Sequence, residues 1–267
     1  MKTHLIILGS GNSLGTPRID GYWGNCNKEN KKNIRTRCSA AILKGNNIVL
    51  IDTSPDIKSQ LINNKIKNVS SVVFSHEHSD QTNGLFELRP FAFKNKNKNK
   101  INYWKKPKPI NVYGSFQTIN LLKKRFDYCF NKVGIYPPIV KSNIIKKKFS
   151  LGKFNEKINF KTIFAKHGTS NVTIYIFNKT AYLSDCSDLN IIKEKSLKSL
   201  NYIIIDCINV RGGYAHFGLV DCLHIFKVLK PKRMILTNLH HDLDHDKLSK
   251  ILPKNVIPAF DGLKLNL

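Results

Sequence analysis

Short apolar segments alternate with polar segments along the first half of the chain. Residues 4–8, with an apolar run at 5–8, predict a buried strand and are followed by a glycine-rich stretch, residues 9–15, that cannot continue it. Residues 39–43 and 48–51 are separated by a short polar turn, which predicts a β-hairpin. Residues 72–74 form another β-branched run that stops at a polar cluster. The pattern predicts buried strands with polar side chains at their ends.

The second half of the chain combines strand-like segments with a helix. The strand-like segments are residues 158–165, 172–177, 181–183 and 202–205. Apolar side chains then recur every three or four positions between Leu219 and Leu229, which predicts an amphipathic helix before a short strand at 233–236. We therefore expect an α/β protein with two packed mixed sheets and helices outside them. No Pro-, Gly- or Ser-rich linker divides the chain, so residues 1–267 are predicted to form a single domain.

The composition is that of a globular chain, with 41% apolar and 23% charged residues. No apolar run approaches the roughly 20 residues of a membrane-spanning helix, and the first apolar run is too short for a signal peptide. We expect a cytoplasmic protein without a membrane partner. The six cysteines show no paired spacing, which favours free thiols.

The net charge is strongly positive, with 44 Lys and Arg against 18 Asp and Glu, or +26. Such a charge is typical of proteins with polyanionic partners. However, the chain is rich in Lys, Asn and Ile, the residues of A/T-rich codons, so genome composition alone can supply much of the charge without a bound nucleic acid. Residues 94–108 are basic and lack an apolar face, which predicts an exposed loop.

The most specific chemical signal follows the predicted strand at 72–74. His76, His78 and Asp80 alternate with other residues there, so that three donor side chains lie on one short segment. Imidazole nitrogen and carboxylate oxygen are ligands of zinc and similar ions. The segment therefore predicts a metal site.

Four other predicted strands end in donor residues of the same types. These residues are Asp52, His167, Asp185 and His240. Ligands gather where several strands deliver side chains to one edge of a sheet. We expect these residues to meet His76 and His78.

These motifs resemble those of the metallo-β-lactamase-fold hydrolases, in the branch of the phosphoribosyl cyclic phosphodiesterase and tRNase Z. The resemblance runs nearly end to end and includes the segments 9–11, 37–39, 84–89, 215–217, 235–237 and 260–262. It implies a four-layer αββα sandwich and hydrolysis through a metal-bound hydroxide. It also implies a metal set of His76, His78, Asp80, His167 and Asp185, with Asp185 bridging two cations.

Two positions depart from the family's pattern. Gln81 and Asn238 stand where the family has histidines that serve the second cation beside Asp80. An amide oxygen is a weaker and harder donor than imidazole, so we expect Zn²⁺ or Mn²⁺ in one tight site and a second, altered site. His240, two residues beyond Asn238, is predicted to serve as the substitute ligand.

The resemblance also implies roles for further residues. Asp80 orients the attacking hydroxide, and His216 is the general acid that protonates the leaving oxygen. Asp52 accepts an imidazole N–H and so fixes the tautomer of a ligand. Arg89 and Arg211 are candidate phosphate clamps, because a guanidinium suits phosphate oxygens.

Three functions remain open at this point. The first is a phosphodiesterase for a small or cyclic phosphate ester, which requires no nucleic acid but admits one as a partner. The second is an RNA-processing nuclease like tRNase Z, whose basic surface holds the RNA. The third is a metal-binding scaffold that has lost catalysis through its altered second site. A homodimer is compatible with each.

Overall fold

The computed structural model describes residues 1–93 and 107–267. Within these residues, fourteen strands form two sheets of seven strands each. The two mixed sheets that the apolar pattern predicted are confirmed. The predicted basic loop at 94–108 lies outside the described residues, apart from its last two positions.

The first sheet has the strand order β14-β1-β2-β3-β4-β5-β6. Its strands are β1 (Thr3–Gly9), β2 (Ser39–Lys44), β3 (Asn47–Ile51), β4 (Ser71–Val73), β5 (Ile110–Gly114), β6 (Val140–Ile144) and β14 (Lys264–Asn266). Strands from β14 to β3 pair antiparallel, and those from β3 to β6 pair parallel. The predicted hairpin is β2–β3, which closes at Gly45 with a φ of +60°.

The second sheet has the order β13-β12-β11-β10-β9-β8-β7. Its strands are β7 (Lys148–Leu151), β8 (Ile158–His167), β9 (Ser170–Phe177), β10 (Thr180–Leu183), β11 (Tyr202–Asp206), β12 (Arg233–Thr237) and β13 (Val256–Pro258). Strands β7 to β10 pair antiparallel, and β10 to β13 pair parallel. The two halves of the chain therefore repeat one pattern of pairing.

Seven α-helices accompany the sheets in the described residues. They are α1 (Ile57–Asn63), α2 (Ser79–Thr82), α3 (Arg89–Ala92), α4 (Phe116–Arg125), α5 (Asp127–Phe130), α6 (Leu219–Leu229) and α7 (His245–Ile251). Short 3₁₀ helices cover Lys31–Asn33, Leu85–Leu88, Phe154–Glu156, Leu189–Lys193 and Lys195–Leu197. The predicted amphipathic helix is α6. None of the helices in the described ranges combines the length and the apolar character that a bilayer crossing needs.

The strands are apolar on both faces because each sheet lies between the other sheet and a layer of helices. In β11, Ile204 packs between the two sheets, whereas Ile203 and Ile205 pack against the helices on the outside. In β1, Leu5 faces the second sheet and Ile6 faces the helices of the first. The result is the four-layer αββα sandwich that the family resemblance implied.

The carboxyl ends of several strands meet at one edge of this sandwich. β3 and β4 are parallel in the first sheet, and β10, β11 and β12 are parallel in the second. β8 runs in the direction of β10, because both are antiparallel to β9. Each of these strands ends at or just before a polar donor residue.

Candidate metal centre

Four predicted ligands converge at the edge where these strands end. Their donor atoms all lie within 4.8 Å of one another, and they are His76, His78, His167 and Asp185. The three imidazole rings pack edge to face, with centroids 4.5 to 5.0 Å apart. Asp185 Oδ2 lies 3.4 Å from His76 Nε2 and 3.8 Å from His167 Nε2. These four residues are called the metal centre below.

The lone pairs of the metal centre point into a common space. His76 Nε2 is buried and has no hydrogen-bond partner, while its Nδ1 lies 2.9 Å from the hydroxyl of Ser75. His167 Nδ1 donates to the carbonyl of Ala215 at 2.7 Å, which leaves Nε2 as the lone pair. That nitrogen faces His78 Nδ1 at 3.2 Å. Three imidazoles and one carboxylate are a ligand set suited to a divalent cation such as zinc, so the residues present fit the group that the fold implies.

Electrostatics keeps two of the histidines in the form that binds a cation. Burial lowers the pKa of His167 to about 4. Burial and the neighbouring His76 also lower the pKa of His78. Both rings are therefore neutral near pH 7, as metal ligation requires. Burial opposes ionisation of Asp185, but the adjacent His76 and the charge of His216 outweigh it and hold the pKa of Asp185 well below its usual range.

Ser75 connects the metal centre to Asp52. The carboxylate of Asp52 accepts hydrogen bonds from the Ser75 backbone N–H and hydroxyl, each at 2.8 Å. The same hydroxyl accepts from His76 Nδ1, which fixes the tautomer with the lone pair on Nε2. Asp52 thus acts on the imidazole through Ser75, and not by the direct hydrogen bond that we expected from the sequence.

Replacing Ser75 with alanine is expected to weaken zinc binding by roughly 10- to 100-fold, because His76 loses the partner that orients its ring. Competition with a chromophoric chelator measures this affinity. Ser71→Ala is the matched control, since Ser71 is a buried serine at the other end of β4. Equal zinc affinities for the two variants would contradict the orienting role of Ser75.

Arg125 fixes the backbone of the segment that carries His76 and His78. Its guanidinium donates to the carbonyl of Glu77 at 2.7 Å and to the Thr82 hydroxyl at 3.2 Å. The Thr82 hydroxyl in turn donates to the carbonyl of His78 at 2.8 Å. Helix α4, which ends at Arg125, therefore positions the His76–His78 segment, a contact that the local sequence pattern does not indicate.

A second cluster adjoins the metal centre through Asp185. It contains Asp185, Asp206 and His216, whose donor atoms also lie within 4.8 Å of one another. His216 Nδ1 lies 2.8 Å from Asp206 Oδ2. Burial lowers the pKa of His216, but the hydrogen bond and charge of Asp206 outweigh it and raise that pKa to about 9. The imidazole is therefore protonated near neutral pH.

Asp206 was not identified as a site residue from the sequence. It is the last residue of β11, and its carboxylate is completely buried. The rule that drew attention to Asp52 and Asp185, a lone acid at the end of an apolar strand, applies equally to Asp206.

Asn238, and not His240, contacts Asp185. Its amide Nδ2 donates to Asp185 Oδ1 at 2.6 Å and to Asp206 Oδ1 at 3.0 Å. His240 instead forms a separate cluster with His241 and Asp242, and its Nδ1 lies 2.9 Å from Asp242 Oδ2. His240 therefore lies outside the metal centre, in contrast to the prediction that it takes the ligand position of Asn238, because its ring contacts Asp242.

Asp80 and Gln81 lie beside the metal centre on the first sheet's side. Asp80 is half-buried, and Gln81 is completely buried. Gln81 Nε2 lies 3.4 Å from Asp80 Oδ2 and 3.5 Å from Asp185 Oδ1. The opposite orientation of this amide lets Nε2 donate to the Cys38 carbonyl at 3.2 Å and to Asp52 Oδ2 at 3.3 Å.

The two arginines predicted to clamp phosphate differ in their surroundings. Arg89 lies over aromatic rings, 5.6 to 5.9 Å from the centroids of Phe86, Phe93 and Tyr136. Arg211 is exposed on the loop that carries His216, where its backbone N–H donates to Asn209 Oδ1 at 2.9 Å. Arg89 thus makes cation–π contacts with three rings.

Arg37 is a guanidinium near the centre that the sequence did not single out for substrate binding. Two of its nitrogens bind Asp56, Nε at 2.7 Å and Nη2 at 2.6 Å. The hydrogen bonds that Arg37 donates to Asp56 raise the pKa of Arg37 above its ordinary value, burial lowers it, and the charges of Asp56 and Asp80 add to the increase. Arg37 is therefore a rigidly held cation within electrostatic reach of Asp80.

The chain is similar to a known protein family and to several solved structures. Residues 47–240 match the family described as "Beta-lactamase superfamily domain". A crystal structure of a diphosphatase from the PhnP family has a TM-score of 0.86 and 28% identity, over 100% of this chain and 98% of that one. The short form of human tRNase Z has a TM-score of 0.65 and 14% identity over 98% of each chain, a likeness of fold alone.

Among curated proteins, an octanoyltransferase of Porphyromonas gingivalis is similar to this chain. The two are 25% identical over 264 residues, which is 97% of this chain. The chain spans 50% of the length of that enzyme.

Proposed function

This chain belongs to the metallo-β-lactamase superfamily, and we propose that it is a metal-dependent phosphodiesterase acting on a small or cyclic phosphate ester. The observation that carries the proposal is that Asp185 belongs to two adjoining clusters. One is the metal centre, and the other contains Asp206 and His216. A cation site and a proton donor thus adjoin the same carboxylate, an arrangement suited to phosphate ester hydrolysis.

A divalent cation at the metal centre would supply Lewis acidity, which polarises the phosphate and makes water a stronger nucleophile near neutral pH. The residues of this chain supply the remaining functions. Asp80, half-buried at the same edge, accepts a hydrogen bond from the attacking water and orients it. His216 keeps its Nδ1 on Asp206 and delivers the proton from Nε2 to the leaving oxygen. Asp206 holds the imidazole in this orientation and stabilises its charge.

Two arginines support a phosphate substrate. Arg37 is fixed by Asp56 in a bidentate ion pair, so it offers its remaining Nη1 to a phosphate oxygen with little loss of side-chain entropy. Arg211 is exposed on the loop of His216 and is a second phosphate contact. The similarity to a PhnP-family diphosphatase, at 28% identity over the whole chain, agrees with chemistry at phosphorus.

The test is turnover by the zinc- or manganese-loaded protein. A nucleoside 2′,3′-cyclic phosphate, a dinucleoside diphosphate and a precursor tRNA are supplied in parallel over a series of salt concentrations. We expect hydrolysis of a small ester with little dependence on salt. Absence of turnover on all three substrates, with the cation bound, would contradict the proposal and favour the metal-binding scaffold.

An RNA-processing nuclease is the second candidate, favoured by the net charge of +26 and the row of exposed lysines Lys146, Lys147 and Lys148. Proteins that hold RNA through phosphate contacts release counterions when they bind. Because this release is less favourable at higher salt, their affinity falls steeply as the salt concentration rises. Cleavage of the precursor tRNA that collapses between low and moderate salt, without small-ester turnover, would favour this candidate.

A further inference from the structure

We infer that this chain binds one divalent cation at the centre and not two, because the amide of Asn238 occupies the carboxylate oxygens that a second cation needs. The inference rests on the proposed metal-dependent function and adds its stoichiometry. It follows from a count of the hydrogen bonds that the carboxylates Asp185 and Asp206 accept.

Asp185 divides its two oxygens between different partners. Oδ2 faces the metal centre, 3.4 Å from His76 Nε2 and 3.8 Å from His167 Nε2. Oδ1 faces away from it and accepts a short hydrogen bond of 2.6 Å from Asn238 Nδ2, with the Ser184 hydroxyl at 3.2 Å. The carboxylate therefore offers one oxygen to a cation at the metal centre, and protein donors hold the other.

Asp206 also uses both of its carboxylate oxygens as hydrogen-bond acceptors. Its Oδ1 accepts from Asn238 Nδ2 at 3.0 Å. Its Oδ2 accepts from His216 Nδ1 at 2.8 Å and from the Cys186 backbone N–H at 3.1 Å. The Nδ2 group of Asn238 thus donates to both acids and stabilises the pair of carboxylates by hydrogen bonds, in the place of a shared cation.

The remaining donors on this side are weak. Gln81 supplies an amide where an imidazole would bind zinc well. In one orientation its Nε2 points at Asp80 and Asp185, which repels a cation. In the opposite orientation its Oε1 faces these acids, and Asp80, Gln81 and Asp185 would then form an oxygen set for a hard cation such as Mg²⁺ or Mn²⁺. The orientation of Gln81 does not change the outcome, because Asn238 holds Asp185 Oδ1 by its hydrogen bond at 2.6 Å in both cases.

The experiment counts cations directly. The purified protein is dialysed without chelator against Zn²⁺ and, separately, against Mn²⁺, and the bound metal per chain is measured by mass spectrometry. Calorimetric titration of the metal-free protein gives the same number independently. We expect one equivalent with either ion. In the Co²⁺-loaded protein we expect the electron paramagnetic resonance signal of an isolated ion, without exchange coupling.

Two equivalents, or a coupled Co²⁺ spectrum, would overturn the inference. Restoring imidazoles in Gln81→His/Asn238→His is expected to raise the count from one to two. If that variant does not fold, as judged by circular dichroism, the count on the unmodified chain still decides. His240→Ala should leave the count at one, and a loss of metal in it would return His240 to the ligand set.

Different results would contradict the inferred stoichiometry and the proposed function. One bound cation without hydrolysis of any phosphate ester would leave the inference standing and contradict the function. Two bound cations with rapid hydrolysis would do the opposite.

Discussion

Replacing His78 with alanine is expected to abolish metal binding and hydrolysis together, with activity falling by at least about 10³-fold. A Lewis acid contributes several kcal/mol to phosphoryl transfer, and each 1.4 kcal/mol is a factor of ten in rate. His78 Nδ1 lies 3.2 Å from His167 Nε2, so its loss opens one side of the metal centre. Metal content and turnover are measured on the same preparation.

His224→Ala is the control for this variant, because His224 is an exposed histidine on α6. It should keep both metal and activity. Thermal unfolding of the metal-free proteins should be similar, since His78 is half-buried and packs mainly against the other ligands. A His78→Ala protein that is active and fully loaded would contradict the ligand assignment.

Replacing His216 with alanine is expected to slow turnover by about 10²- to 10⁴-fold, the usual contribution of a general acid. Metal content should not change, because His216 is not one of the four ligands of the metal centre. With a pKa raised to about 9, His216 is protonated at pH 7 and loses its proton as the pH rises. The rate of the unmodified protein should therefore fall on the alkaline side, and this fall should be absent from His216→Ala.

The variant Asp206→Asn keeps the imidazole of His216 but removes the carboxylate charge that raises its pKa. The hydrogen bond and charge of Asp206 are what raise the pKa of His216 against the effect of burial. Without that charge, the alkaline fall in rate should move to lower pH. An unchanged pH profile in Asp206→Asn, or a His216→Ala protein that retains the alkaline limb, would exclude His216 as the proton donor.

The layers of the fold were predictable because the apolar runs are physically simple. Segments such as Ile203 to Ile205 are apolar at every position, since one face packs on the other sheet and one on the helices. The His76–His78 motif after β4 indicated the family, and the match of the family model over residues 47–240 confirms it. Strand order could not be derived from the residues alone, because pairing joins segments as distant as β1 and β14.

The site was predictable in its ligands and less so in their surroundings. The side chain that reaches Asp185 depends on backbone direction, and at Asn238 the backbone is left-handed, with a φ of +61°. Sequence spacing cannot distinguish this from a turn that presents His240. The interposed hydroxyl of Ser75 likewise depends on which way one small side chain points.

The surroundings of Arg89 show a related limit. Arg89 stays a candidate phosphate clamp. Two of the rings that it contacts, Phe86 and Phe93, are its sequence neighbours, but Tyr136 comes from a remote part of the chain that sequence spacing does not place. Asp206 is different, because its position at the end of β11 follows the same strand-end rule as Asp185.

The most direct test is an anomalous difference map from crystals grown with Zn²⁺, recorded on both sides of the zinc absorption edge. We expect a peak at the metal centre, with His76 Nε2, His78 Nδ1, His167 Nε2 and Asp185 Oδ2 at about 2.0 to 2.2 Å. The absence of a peak there, or a peak held only by the cluster of His240, His241 and Asp242, would contradict the assignment of this centre as the cation site.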